Sequence, residues 1–305
     1  MAHSLNEESV DNKKVDMKII ISNLLLIVVC IIWGSGFAVV KETMQAISPE
    51  LLVAMRFGVA AVLLGLFSLS RTGCFKPKVM LAGFLLSVPL YLAFYLQTVG
   101  LVNTTAANAG FITGMHVIFT PILCFICFKK KIKTHIILGV LFTTFGLAFM
   151  SISGNMMLFK GDLLILATAF TLAVHMVLLS KYTLEYDGIW LSFAQIFWVA
   201  VIGFCVAFKD IGTIMTLQGD TVFSLLYLGA AGTAFAYLVQ TVAQKYTSPV
   251  STAIIFQTES IFSAVFGYFL LGEILVLRQW IGAVLILTGI LICELWPLIG
   301  LRKKV

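Results

Sequence analysis

Ten apolar segments of about 20 residues follow one another between Ile19 and Trp296, separated by charged residues, proline or asparagine. A helix needs roughly 20 apolar residues to cross the hydrocarbon core of a bilayer, so nearly the whole length is suited to lie in lipid. The segments fall at about 19–41, 49–70, 78–101, 104–127, 133–152, 161–181, 188–208, 220–244, 249–271 and 277–296. Pro49 and Pro249 stand where the first turn of a helix tolerates a missing N–H, and Pro297 stands just past a helix end. Composition closes the other option. The 305 residues are 60% hydrophobic and 11% charged, whereas soluble domains carry about 25% charged residues. The pattern predicts an all-α integral membrane protein with ten transmembrane helices and excludes a soluble globular enzyme.

The net charge of +6 is read as orientation rather than as affinity for an acidic partner or nucleic acid. With the N-terminus in the cytoplasm, 15 of the 20 Lys and Arg residues fall on the inner side, among them Lys13, Lys14, Lys129, Lys131, Lys181 and Lys245. Lys41, Lys160, Lys209 and Arg278 fall outside, and Arg56 lies within a span. Both termini are therefore expected in the cytoplasm of a multi-pass protein of the plasma (inner) membrane. Residues 1–17 read as a polar, disordered cytoplasmic tail, and residues 298–305 as a basic one. The first apolar run has no small-residue cleavage site after it and is expected to be retained. The six cysteines lie mostly in apolar segments, and the Cys124/Cys127 spacing lacks the second ligand pair a metal site needs. No cofactor or metal is expected.

Sliding the sequence by 143 residues places Gln97-Thr98-Val99 on Gln240-Thr241-Val242, Phe119 on Phe262, Gly139 on Gly282 and Gly146 on Gly289, without a gap for about 50 residues. Two copies, 18–155 and 156–297, each hold five spans. An odd number makes the second copy enter the membrane with opposite orientation, giving two inverted five-helix repeats. Such repeats typify secondary transporters, whose substrate site lies near the midplane where the halves meet. The paired glycines are seven residues apart and share a helix face, so they form grooves along the fifth and tenth helices. The grooves suit packing inside the molecule or a homodimer through these two helices.

Ile32-Trp33-Gly34-Ser35-Gly36-Phe37, then Ser48-Pro49 and Arg56-Phe57, resemble the opening of EamA-type transporters of the drug/metabolite transporter (DMT) superfamily. Thr105-Ala106-Ala107-Asn108-Ala109-Gly110-Phe111-Ile112-Thr113 with Thr120-Pro121 is similar to that family's fourth helix, and Glu259 with Gly272-Glu273 to its ninth. The resemblance covers residues 19–296. It implies a central cavity lined by helices 1 to 4 and 6 to 9, with helices 5 and 10 behind, and it favours export. Two positions depart from the family. Ser260 stands where many relatives have proline after the acid, which predicts a less kinked ninth helix, and His116 stands where relatives often have an aromatic or small residue.

Ionisable groups within a span cost about 2.5 to 3.5 kcal/mol each at mid-helix and mark functional sites by default. Glu259 and His116 lie near the middle of the ninth and fourth helices and are separated by the repeat offset, so a pseudo-two-fold axis sets an acid and an imidazole at equivalent positions on the cavity wall. They are read as contacts for a polar solute, one of them a candidate proton carrier. The structural alternative is an ion pair or an interhelical hydrogen bond. Trp33, Tyr91, Asn108, His175, Gln195 and Tyr237 are the further candidates for lining the cavity. Arg56 is expected to snorkel, to pair with Glu42 or Glu50, to close a gate, or to capture an anionic group directly; Gln97 and Gln240 are candidate gates or form helix-to-helix hydrogen bonds. Pro89 and Pro121 are expected to interrupt the third and fourth helices. The combined expectation is a secondary transporter, an exporter of a small polar metabolite such as an amino acid, working by alternating access with or without proton coupling. The alternatives are a passive facilitative channel or an importer. Sequences of the GxxxxGK[ST], HExxH and GxSxG types are absent, which argues against direct use of ATP and against an intramembrane enzyme.

Overall fold

A computed structural model of the chain describes residues 2–70, 76–104, 106–129, 131–151, 160–271 and 276–302, and within these it leaves out the side chains of 2–16, 37–38, 106–108, 150–151, 267, 270–271 and 297–302. The helix starts follow local chemistry. Ser48 and Ser248 sit before Pro49 and Pro249, and their hydroxyls accept from the N–H groups of Leu51 (3.3 Å) and Ser251 (3.0 Å). Asp187 caps another start by accepting from Ile189 and Trp190. In chain order the α-helices are α1 (Ala2–Thr43), α2 (Pro49–Leu69), α3 (Lys78–Val102), α4 (Ala106–Gly114), α5 (His116–Phe128), α6 (Thr134–Ser151) and α7 (Lys160–Tyr182). Then come α8 (Gly188–Val206), α9 (Gly219–Gly229), α10 (Ala236–Ala243), α11 (Pro249–Phe256), α12 (Thr258–Leu271) and α13 (Leu277–Arg302). A 3-10 turn (Phe208–Thr216) precedes α9, and a π-helical turn (Ala230–Phe235) joins α9 to α10. The described residues contain no strand.

Among the described residues, eight helical stretches are long and apolar enough to cross a membrane. Of the two remaining segments, Thr134–Phe149 is a shorter apolar helix, and 249–271 is divided between α11 and α12. Apolar side chains such as Leu66, Leu81, Phe145, Leu163, Phe223 and Phe269 are exposed around the bundle, as a protein surrounded by lipid requires. At both ends the helices run further than the apolar pattern predicts. Residues 2–16 continue α1 instead of forming a disordered tail, since no proline or glycine precedes Gly34 to stop the helix, and α13 reaches Arg302.

The interruptions also fall elsewhere than the prolines suggest. α3 runs unbroken past Pro89, and α5 contains Pro121. The fourth segment breaks instead at Met115, and the ninth breaks at Gln257 although Ser260 replaces the family's proline. Gly114 and Gln257 flank these breaks and are 143 residues apart, and they touch: the Gln257 side-chain amide donates to the Gly114 carbonyl at 3.0 Å and to the Ala253 carbonyl at 3.3 Å. One side chain thus ties together the two broken helices.

α6 and α13 pack as the glycine spacing demands. A Cβ on Gly146 would lie 2.6 Å from the Gly282 carbonyl oxygen, and one on Gly289 would lie 2.7 Å from that of Gly139. Rising numbers on one helix meet falling numbers on the other, so the pair is antiparallel. The grooves are filled by each other, which leaves Trp280, Val284 and Leu291 on the exposed side of α13. Around the centre, α1 runs parallel to α11 and α12, with Cys30 against Ile255 and Gly34 against Phe262, and antiparallel to α9 and α10, with Trp33 against Gly232 and Ser35 against Tyr227.

Candidate solute-binding cavity

A cavity of about 90 Å³ lies where α1, α2, α3 and α7 meet the interrupted helices, with α6 and α13 outside its wall. Five pairs of its lining residues are 143 positions apart: Trp33 and Met176, Phe94 and Tyr237, Gln97 and Gln240, Thr113 and Phe256, and His116 and Glu259. The wall is thus built from equivalent positions whose chemistry, apart from the two glutamines, differs between the copies.

The π-helical turn supplies one end of the cavity. Its extra residue per turn redirects backbone groups that a regular helix would use internally. The Gly232 carbonyl accepts from the Trp33 indole at 2.9 Å and from Arg56 at 3.4 Å, while the Thr233 hydroxyl accepts from Arg56 Nε at 3.0 Å and donates to the Leu228 carbonyl at 2.8 Å. Arg56 is 5% exposed. It makes no pair with Glu42 or Glu50; the Glu50 carboxylate accepts instead from Tyr95 at 3.3 Å. The Phe94 ring covers the guanidinium 4.6 Å from its centroid, a contact worth about 2 kcal/mol when desolvated. The snorkelling and ion-pair expectations for Arg56 are therefore replaced by a buried guanidinium at the cavity wall.

Glu259 stands in the first turn of α12, just past the break, and its carboxylate has no hydrogen-bond or ion-pair partner among the described residues. His116 opens α5, just past the other break. Its Nδ1 lies 2.9 Å from the Thr113 carbonyl, which can only accept, so that nitrogen carries the proton; buried Nε2 has no partner in hydrogen-bonding geometry. Gln97 donates to the Thr113 hydroxyl at 3.2 Å, and Gln240 donates to Gln244 at 3.2 Å. The breaks at Met115 and Gln257 bring His116 and Glu259 to the start of a helical turn facing the cavity.

Trp33, Arg56, Gln97, His116, Tyr237, Gln240 and Glu259, all singled out in the sequence, line this one cavity. Three others do not. Tyr91 stacks on Tyr95 within the core shared by α2 and α3. His175, 1% exposed, donates through Nε2 to the Gln195 carbonyl oxygen at 2.8 Å, and the Gln195 amide donates to Thr241 at 2.9 Å. This relay is satisfied internally and ties α7, α8 and α10 together, so His175 and Gln195 are packing polar groups. Asn108 lies on α4, but its side chain, like Thr105, Gly272 and Glu273, falls outside the described residues. The sequence reading missed Phe94, Thr168 and Tyr227 as lining residues. Phe94 was within reach, since it is 143 positions from Tyr237. Tyr227 bonds Ser35 at 2.6 Å, a contact across helices that no local pattern encodes.

A second cavity, of about 1080 Å³, opens at the end of the bundle that carries Lys131, Lys133, Lys181 and Lys245. Among the described residues the two share no lining residue. An apolar layer built from Val29, Cys30, Val117, Ala243 and Ile254 separates them; on α1, α5, α10 and α11 these residues fall between those lining the two cavities.

The EamA-like transporter family matches the chain twice, over residues 20–152 and 159–294. An uncharacterized transporter of Archaeoglobus fulgidus is 31% identical over 279 residues, covering 92% of this chain and 87% of its own. A probable amino-acid metabolite efflux pump of Escherichia coli K12 is 26% identical, covering 88% and 93%; one from Salmonella typhimurium is 23% identical, covering 88% and 93%. A solved crystal structure shares the fold with a TM-score of 0.75 at 14% identity, over 90% of this chain and 96% of that one. Apolar helices exposed around a central cavity that holds Arg56, His116 and Glu259, together with two family matches over residues 20–152 and 159–294, make this chain a multi-pass membrane transporter of the EamA-like transporter family.

Proposed function

We propose that the protein is a secondary transporter that exports a small polar metabolite, an amino acid or a related compound, from the cytoplasm by alternating access. The carrying observation is the central cavity, where Arg56, His116 and Glu259 lie at membrane depth without ion-pair partners among the described residues. A charged side chain at mid-helix costs about 2.5 to 3.5 kcal/mol on insertion scales, an expense that a structural role in apolar packing does not explain. In this reading the chain crosses the inner membrane ten times with both termini in the cytoplasm. The broken ninth segment and the short fifth one supply the two crossings beyond the eight long helices. The lysine-rich cavity is then the cytoplasmic vestibule, and the apolar layer around Val29, Val117 and Ile254 is the closed inner gate.

The two halves are read as inverted repeats of about 18–155 and 156–297. Five equivalent pairs on one cavity wall support this, as does the antiparallel contact of Gly139 with Gly289 and Gly146 with Gly282. Glu259 is the candidate proton carrier because no cation neutralises it. Amino-acid compounds are favoured as solutes by the names of the Escherichia coli and Salmonella relatives. The test is a mass-spectrometric comparison of medium and cytosol from cells producing the wild type or Glu259→Gln. A metabolite displaced outward by the wild type alone supports the reading; equal profiles for every solute contradict it.

A further inference from the structure

We infer that the cavity is polarised for a zwitterion, with Arg56 receiving the carboxylate of the solute and Glu259 its ammonium group, so that compounds bearing only one of these charges are poor ligands. This rests on the cavity being the solute site proposed above. The two charged side chains line the same cavity, and neither has an ion-pair partner among the described residues. Tyr237 lines the same cavity and packs against Trp33 and against Phe94, the ring that covers Arg56.

The donors of Arg56 are only partly used. A guanidinium has five N–H groups in a planar fork. Nε is engaged by Thr233 and one terminal nitrogen by Gly232, which leaves the rest of the fork for a carboxylate, while Phe94 covers the flat face. At the other pole no donor among the described residues reaches the Glu259 carboxylate. His116, its equivalent in the first half, does not compensate it while neutral, because its proton is engaged at Nδ1 by Thr113. Trp33 packs against both Tyr237 and Phe256 in the cavity wall that also holds Glu259, and these rings supply aromatic faces that favour an ammonium group. A zwitterion gives both groups a counter-ion at once, its ammonium group favouring the ionised form of Glu259. An amine without a carboxylate leaves Arg56 buried and unpaired, and an acid without an ammonium group leaves Glu259 so.

The experiment uses the purified full-length protein in detergent. Binding of each of the twenty protein amino acids is measured by calorimetry and thermal shift, then that of the best ligand's decarboxylated amine and deaminated acid; for leucine these are isopentylamine and 4-methylpentanoate. The wild type is expected to bind the zwitterion at least tenfold more tightly than either analogue. Arg56→Gln is expected to lose discrimination against the amine and keep it against the acid, and Glu259→Gln to do the reverse. Arg56→Lys retains the charge without the fork, so it weakens the zwitterion several-fold yet still rejects the amine, and it serves if the neutral variant fails to fold. Analogues that bind the wild type within threefold of the zwitterion, or variants that weaken all three ligands equally, overturn the inference and leave the transporter reading intact. If no amino acid binds the wild type while cells still export another metabolite, the amino-acid class itself is wrong.

Discussion

Two pairs of segments related by the same 143-residue offset meet in opposite ways. α6 and α13 approach closely, glycine against backbone carbonyl. The fourth and ninth segments are both broken, are tied by the single amide of Gln257 on Gly114, and present His116 and Glu259 to a cavity. The first pair spends its interface on close packing, which membrane helices achieve with small residues. The second gives up helical continuity at matching positions and gains polar groups and a point about which each half-helix can turn. A transporter needs both: one contact that holds the halves in register, and one that can open.

The largest effect that would sharpen this contrast is on transport. Glu259→Gln is expected to abolish the outward displacement of solute seen with the wild type while leaving the amount of folded protein in the membrane unchanged. Persistent export would detach the charged groups from function. Next comes packing. Gly146→Val forces a branched side chain against the Gly282 carbonyl and the Ile286 backbone, so unfolding in detergent is expected to become easier by about 1 to 3 kcal/mol; unchanged stability would mean that the α6/α13 contact is looser than described. Gln257→Ala removes the tie between the broken helices. It is expected to cost only about 1 kcal/mol, in line with interhelical hydrogen bonds in membranes, and to change the transport rate more than the thermal midpoint. The smallest effect is expected at Gly110 on α4, where an added Cβ meets nothing within 4 Å. Gly110→Ala gains helix propensity of up to about 1 kcal/mol, and its thermal midpoint is expected to hold or rise slightly.

Much of the scaffold is legible from simple rules. Pro49 and Pro249 behind capping serines mark helix starts, and the seven-residue glycine spacing marks the rear pair. Of the site, the intramembrane charges and the repeat offset together pick out His116 and Glu259, which do line one cavity. What stays hidden depends on hydrogen-bond register, which apolar periodicity does not specify. A π-helical turn over Ala230–Phe235 and the breaks at Met115 and Gln257 leave no apolar signature, and Pro89 and Pro121 point to the wrong places. Arg56 was expected near Glu42 or Glu50 because charge pairs are sought locally, yet its partners, Gly232 and Thr233, lie in the other half of the chain. His175 and Gln195 show the converse, since two intramembrane polar groups that look available from sequence satisfy each other.

The most direct test of the division between a solute path and a rear packing pair compares two near-isosteric substitutions, Thr113→Cys at the cavity and Thr143→Cys, which replaces a buried threonine bonded to the Gly139 carbonyl on α6. In protein freed of its six native cysteines and reconstituted in vesicles, each is challenged with a membrane-impermeant maleimide from either side. Thr113→Cys is expected to react from the aqueous phase and to be protected by the transported solute, while Thr143→Cys stays unmodified. Equal reactivity at the two positions, or a Thr113→Cys that no aqueous reagent reaches from either side, would contradict the account.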